Sequence, residues 1–303
     1  SLLLWQMVSG WEQTLRENEF QKWSMSYVSS LQKELDRYSE VLESTAALYI
    51  SSSIVERREF QTFSKGLLKR HIGIQALEWI PRVIDNKRKL FEQNAQNDGF
   101  KDFYITERQN QSRMVPASQR KEYYPVYFVE PLEGNEQALG FDLASNPIRL
   151  AALEQARDTG KMVTTARITL VQESASQFGF LIFKPIYREA SSLNTAQQRR
   201  ENLQGYILGV FRIGEIIQAS QNMLEDHRLN VIILDKSAKQ DSQILYTSVK
   251  QDILQAKHNS FWRESISIPD REWSLYLTPQ AGFYGQYNLW QSWLVLSSGL
   301  LFT

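Results

Sequence analysis

The chain has 303 residues, with 34 Lys and Arg against 34 Asp and Glu, so its formal net charge is zero. At 42% hydrophobic and 22% charged it carries enough apolar matter for a folded core, in roughly two domains, and does not read as a disordered tail. The balanced charge argues against a nucleic-acid partner, and the absence of cysteine removes disulfides, thiolate catalysis and cysteine-based metal sites.

The first element is apolar: Ser1-Leu2-Leu3-Leu4-Trp5-Gln6-Met7-Val8. The closing stretch from Leu289 to Thr303 is similar, and no charged residue follows Glu272. Both ends read as parts of membrane-crossing helices, each short of the ~20 apolar residues of a full span. Residues 1–10 would end a first span and residues 285–303 would start a second. Trp5, Tyr284, Tyr287, Trp290 and Trp293 would sit in the interfacial belts. The alternative is two amphipathic segments packed on a soluble core.

Residues 11–72 are assigned to a stalk. From Trp11 to Ser52 there is neither Gly nor Pro, and Glu, Gln, Lys, Leu and Ser dominate, which predicts one long helix of about 60 Å. Within it Val28, Leu31, Leu35, Tyr38, Leu42, Thr45 and Tyr49 follow one another at spacings of 3, 4, 3, 4, 3 and 4. That is a heptad seam, and the favoured expectation is a parallel homodimer zipped along it. The other reading lays the same stripe on the domains behind it.

From residue 73 the texture turns to short strands and helices. Ile74–Ile80, Phe103–Glu107, Tyr124–Val129, Val163–Gln172 and Phe178–Tyr187 read as strands. Asn86–Asn97 reads as a helix, and Asn146-Pro147 opens another that Gly160 closes. Ser191–Asn202 is polar and reads as a loop. A further strand (Gly205–Phe211), a helix (Ile213–Leu224) and strands at Asn230–Leu234, Ile244–Tyr246, Phe261–Ile268 and Trp273–Leu277 complete the chain. The order implies an α+β fold with antiparallel sheets flanked by helices, divided into residues 73–200 and 201–284.

Signatures of phosphate binding, dinucleotide binding, zinc proteolysis and serine hydrolysis are all missing, and His71, His227 and His258 lie far apart. No catalytic group, metal or cofactor is assigned. Asp142 stands out because it lies between apolar neighbours in Leu139-Gly140-Phe141-Asp142-Leu143. Such a carboxylate either caps the turn before the Asn146 helix or accepts a hydrogen bond from a ligand. Leu181 and Phe183 alternate onto one face of their strand and would wall a pocket.

These residues fall in a pattern. Gly73–Val83, Arg120–Val126, Gly140–Pro147, Ala156–Gly160 and Gly179–Tyr187 occur in order, and the stretch from about Phe60 to Ile217 resembles the CHASE domain. That family comprises extracytoplasmic sensors of plant cytokinin receptors and bacterial signalling proteins. The resemblance implies a long stalk helix, a membrane-distal PAS-like domain (73–200), a membrane-proximal PAS-like domain (201–284) and a homodimer. It also implies a small-molecule site, with an adenine-like molecule among the candidates. In it Asp142 would bond the ligand, main-chain groups near Thr164 would assist, and Leu181, Phe183 and Tyr127 would line the pocket. Phe183 replaces a small polar residue of the plant pattern and Thr164 an apolar one, which would shrink or reshape the cavity.

The expected function is therefore the extracytoplasmic, ligand-sensing part of a receptor in the plasma membrane. A cytoplasmic histidine kinase, diguanylate cyclase or adenylyl cyclase beyond this chain would be its output. The alternative is a dimeric ectodomain whose input is a partner protein.

Overall fold

The computed structural model describes residues 2–71, 73–109, 113–170, 178–188, 192–222, 229–249, 262–280 and 283. Helix α1 runs from Leu2 to Ser51 without interruption. After a short break α2 (Arg57–Leu68) turns back toward the domain. There follow β1 (Ile74–Pro81), β2 (Val83–Ile84), α3 (Arg88–Asn97), β3 (Thr106–Gln109), β4 (Arg113–Pro116), β5 (Glu122–Tyr123) and β6 (Phe128–Glu130). Next come α4 (Pro147–Thr159), β7 (Val163–Thr164), β8 (Ile168–Thr169), β9 (Phe178–Tyr187), α5 (Ala196–Asn202), β10 (Leu203–Arg212) and α6 (Ile213–Asn222). The last strands are β11 (Leu229–Asp235), β12 (Ile244–Thr247), β13 (Trp262–Ile268) and β14 (Arg271–Pro279).

Two antiparallel sheets lie along the stalk, so the α+β expectation holds. The first has the order β6-β1-β10-β9-β7, with β8 also on β9; the second has the order β12-β11-β14-β13. Strand β10 pairs with both β1 and β9 and is central to the first sheet. Leu203–Arg212, grouped by sequence with residues 201–284, thus pairs within the first sheet. Sequence position hid this, because a strand that follows a long connection can return to the middle of a sheet.

The long strands of the first sheet are largely apolar on both faces, because both are covered. Phe180, Ile182, Ile207 and Phe211 face α1. Leu181, Phe183, Tyr206, Leu208 and Val210 face α4. Helix α4 begins at an Asn146 cap whose side chain accepts from the Ile148 and Arg149 amides, and it ends at Gly160, where φ is 73°. Its buried residues Arg149, Ala152, Leu153 and Ala156 recur at helical spacing, so one stripe lies on the sheet.

The stalk stripe has a different partner from the one expected. Leu31, Leu35, Tyr38, Leu42 and Thr45 are buried within this chain, and Val28 and Tyr49 are half-buried. Tyr38 packs on Phe211 with ring centroids 5.2 Å apart, and Tyr49 stacks on Trp79 at 4.1 Å. Lys184 of β9 pairs with Glu43 at 2.6 Å. The predicted dimer seam is thus occupied by the molecule's own sheets. Over three heptads a 3.5-residue repeat and an amphipathic 3.6-residue stripe nearly coincide, so spacing did not separate the two.

The apolar N-terminal residues continue α1 rather than forming a separate element. Among the described residues no helix is long and apolar enough to cross a membrane. Residues 285–303, read as the start of a second span, lie outside the described residues.

Candidate functional site

Asp142 is fully buried, and its carboxylate is already engaged. Oδ1 accepts from the Tyr124 amide at 2.8 Å and the Ala144 amide at 3.2 Å, while Oδ2 pairs with Arg120. Arg120 also reaches Glu107 at 2.5 Å. The Asp142 main chain adds an N–H bond to the Thr106 carbonyl at 2.8 Å. Burial pushes the carboxyl up from its usual range, and the Tyr124 amide and Arg120 pull it back. The residue caps the short turn Leu143–Ser145 and pins three segments together. In this structure the acceptor oxygens of Asp142 serve the protein itself, which is the capping alternative of the sequence reading.

The other predicted site residues do not converge on it. Thr164 lies on β7 and its hydroxyl donates to the Pro269 carbonyl of the second sheet at 2.7 Å. Phe183 is buried against Tyr206, with ring centroids 5.9 Å apart, and fills core rather than lining a cavity. Tyr127 stacks on Phe128 at 4.5 Å and reaches Asp98 at 3.3 Å, beside Arg57 of α2. Leu181 borders a small cavity in the first domain.

That cavity lies between the first sheet and α4 and measures about 20 Å³, room for about one water. Leu181, Leu208, Val210 and Phe141 form its apolar wall. Two charged side chains enter it, Glu78 of β1 and Arg149 of α4. Glu78 is on the α4 side of its strand because it shares that face with Ala76 and Ile80. The pair makes no contact ion pair. Arg149 donates to the Thr169 carbonyl at 3.3 Å and lies 5.1 Å from the Phe141 ring centroid, while its buried Nε has no partner.

Burial dominates both groups. It pushes the Glu78 carboxyl up to about 8, against the opposing pull of Arg149. It lowers the Arg149 guanidinium to about 10, against the opposing effect of Glu78. Burial thus biases the Glu78 carboxyl toward its protonated form, beside the Arg149 guanidinium. A protonated carboxyl offers one O–H donor and one carbonyl acceptor side by side.

The sequence carried a signal for this pair. Glu78 interrupts an apolar strand on its inward face, and Arg149 interrupts the apolar stripe of α4. A charge on an inward face is rarely retained without a partner or a ligand. The β3–β4 hairpin, paired from Thr106↔Pro116 to Gln109↔Arg113, overlaps the Phe103–Glu107 strand expected from sequence at Thr106 and Glu107, and it places Met114 on the same core.

Two antiparallel sheets borne on one long helix, with a small cavity in the first that holds one buried carboxyl and one guanidinium, form a sensory-domain architecture. The fold is shared with the periplasmic sensory domain of the Campylobacter jejuni chemoreceptor Tlp1, at 10% identity and a TM-score of 0.50, over 85% of this chain and 93% of that one. The chain belongs to the CHASE domain family, whose model matches residues 53–246. It is 24% identical over 253 residues to hybrid signal transduction histidine kinase A of Dictyostelium discoideum, covering 76% of this chain. It is 25% identical over 178 residues to histidine kinase 3 of Arabidopsis thaliana, covering 55% of this chain. The aligned stretches span only 12% and 16% of those relatives.

Proposed function

We propose that this chain is the extracytoplasmic ligand-sensing region of a transmembrane receptor, with the cavity between Glu78 and Arg149 as the ligand site. The output would be a cytoplasmic histidine kinase, the activity named in both relatives. The observation that carries the reading is the buried pair itself. Two ionisable groups held apart in an apolar wall are costly to keep unless something is bound between them.

The chemistry favours a flat heterocycle with a donor beside an acceptor. A protonated Glu78 would pair with such an edge twice, and Arg149 would donate to a further ring nitrogen. An adenine-like molecule has this edge. It is far larger than one water, so binding would displace Leu181, Leu208 and Val210.

That displacement supplies a mechanism. Leu181 and Leu208 sit on strands whose other faces, through Phe180, Ile182 and Phe211, bear on α1. A shift of β9 and β10 would change how the stalk is seated. A coupling of about 1–3 kcal/mol is typical of such a switch.

The test is a titration of this chain with adenine derivatives and amino acids, read by thermal shift. A ligand at a hundredfold excess over its dissociation constant adds about 2.7 kcal/mol of stability. The stabilisation is expected to vanish in Arg149→Met and Glu78→Leu and to persist in Thr164→Val. Binding indifferent to both cavity substitutions, or no binder at all, would overturn the assignment. The last outcome favours the partner-protein reading, which the water-sized volume and the exposed Ile50 and Ile54 near the end of α1 also support.

A homodimer would use a different face of the stalk from the one first read. Leu4, Met7, Trp11 and Leu15 are exposed at spacings of 3, 4 and 4. Sedimentation of wild type against Trp11→Glu tests this: the variant is expected to run as monomer, and an unchanged dimer would exclude this stripe.

A further inference from the structure

A second cavity lies on the outer surface of the first domain, away from the Glu78–Arg149 pair. It is an open cleft of about 330 Å³ between the start of α3 and the strand ends at Arg82 and Leu203. This is within the usual size range of small-molecule sites, about 300–1,000 Å³.

The cleft is amphipathic in a specific sense. Val83 and Leu203 are buried in its floor, while Ile84 and Leu90 are 44% and 59% exposed at its mouth. Its charged side chains are Arg82, Lys87 and Arg188, and no acidic side chain lines it. Arg82 is held in place by Glu122 at 2.7 Å and by the Arg200 carbonyl at 2.7 Å. Lys87 and Arg188 make no ion pair among the described residues. The neighbouring carboxylate of Asp85 is turned elsewhere, accepting from Tyr123 at 2.8 Å and Gln119 at 3.0 Å.

We infer that this cleft binds a small anionic amphiphile: a carboxylate whose head lies between Lys87 and Arg188 and whose short apolar body covers Ile84 and Leu90. Two cations that make no ion pair among the described residues, facing an apolar floor, are complementary to that class and to neither a neutral nor a cationic ligand. The occupant would cover apolar surface that is otherwise in water and supply the missing counter-charge in one step. The cleft borders the end of β1 and the start of β10, two adjacent strands of the first sheet. An occupant would therefore reach the same strands as a ligand in the inner cavity, from outside and at a separate site.

The experiment is calorimetric titration of this chain with octanoate below its micellar concentration, and with octanol as the uncharged counterpart. Octanoate is expected to saturate one site and to bind about tenfold more tightly than octanol, the factor of one charge-assisted contact. Lys87→Glu with Arg188→Glu is expected to weaken octanoate about tenfold or more. The milder pair Lys87→Gln with Arg188→Gln, at the same two exposed positions, covers the case in which charge reversal disturbs the fold. Glu78→Gln is expected to leave octanoate binding unchanged, which separates this site from the inner cavity. Equal affinity for octanoate and octanol, indifference to both double substitutions, or no saturable binding would each overturn the inference.

Discussion

Arg271 donates through Nε to the main-chain carbonyl of Thr164 at 2.8 Å, joining the second sheet to β7 of the first. Its Nη1 holds Asp235 at 2.5 Å, a carboxylate that is 1% exposed. Thr164 returns a bond from its hydroxyl to the Pro269 carbonyl at 2.7 Å, in the turn where Asp270 has a φ of 67°. Arg167 adds a bond to the Ile244 carbonyl at 2.7 Å. The sheets thus meet through a short polar latch.

Arg271→Met is expected to leave Asp235 buried without its ion-pair partner, with the Ser237 amide still donating to Oδ1 at 2.9 Å, and to remove the tie to Thr164. Breaking a buried pair from one side costs about 3–5 kcal/mol. Thr164→Val removes a single hydrogen bond and should cost about 1 kcal/mol. Urea unfolding followed at Trp273, in the second sheet, and by circular dichroism would read both. Two separated transitions in Arg271→Met would show that the latch couples the domains. A single transition at the wild-type midpoint would show that it does not.

Gly73, just before β1, lies against Tyr38 of the stalk. A Cβ there would lie 1.9 Å from the Tyr38 hydroxyl oxygen. Gly73→Ala must push Tyr38 away from Phe211, at about 1–3 kcal/mol for an overpacked core position. Combining it with Tyr38→Leu, which removes the obstructing ring, should cost less than the two changes added separately. Additive costs in urea melts would mean that the stalk yields elsewhere.

Local chemistry made much of this fold readable. Pro147 and Gly160 bracket α4 where their backbone preferences require, and β9 runs over the predicted Phe178–Tyr187. The capping box of α5, Thr195 with Gln198, was equally local and passed as loop because the segment is so polar. What spacing did not reveal was partnership. Asp142 meets Arg120 from 22 residues away, and the stalk stripe meets sheets that follow it in the chain. A buried carboxylate announces that it needs a partner, but only the fold says whether that partner is a ligand or an arginine.

For the same reason Asp142→Ala is expected to act on stability rather than on recognition. It strands the Tyr124 and Ala144 amides and removes one of two carboxylates from Arg120, at about 3 kcal/mol or somewhat more. Arg120 keeps Glu107, which softens the loss. Ligand affinity of the folded fraction should be unchanged. Wild-type stability with lost affinity would restore Asp142 as a ligand anchor.

Glu78 makes folding depend on pH in an unusual direction. Its folded value, about 8, lies above its ordinary 4.5, because burial disfavours the charged form. The folded protein therefore holds a proton that the unfolded chain releases between those values. The protonated carboxyl contributes fully below about pH 4.5, and its contribution declines as pH rises through about 8, at up to roughly 1.4 kcal/mol per pH unit. Arg149 faces the same cavity and remains charged across this window, since its lowered value is still about 10. Glu78→Gln keeps the shape and removes the titration. Unfolding free energies from pH 5 to 8.5 should fall more steeply in wild type than in Glu78→Gln, with the variant the more stable at the alkaline end. Parallel curves would mean that Glu78 ionises freely in the folded state, and the cavity would then hold a carboxylate rather than the donor–acceptor pair on which the proposed ligand class depends.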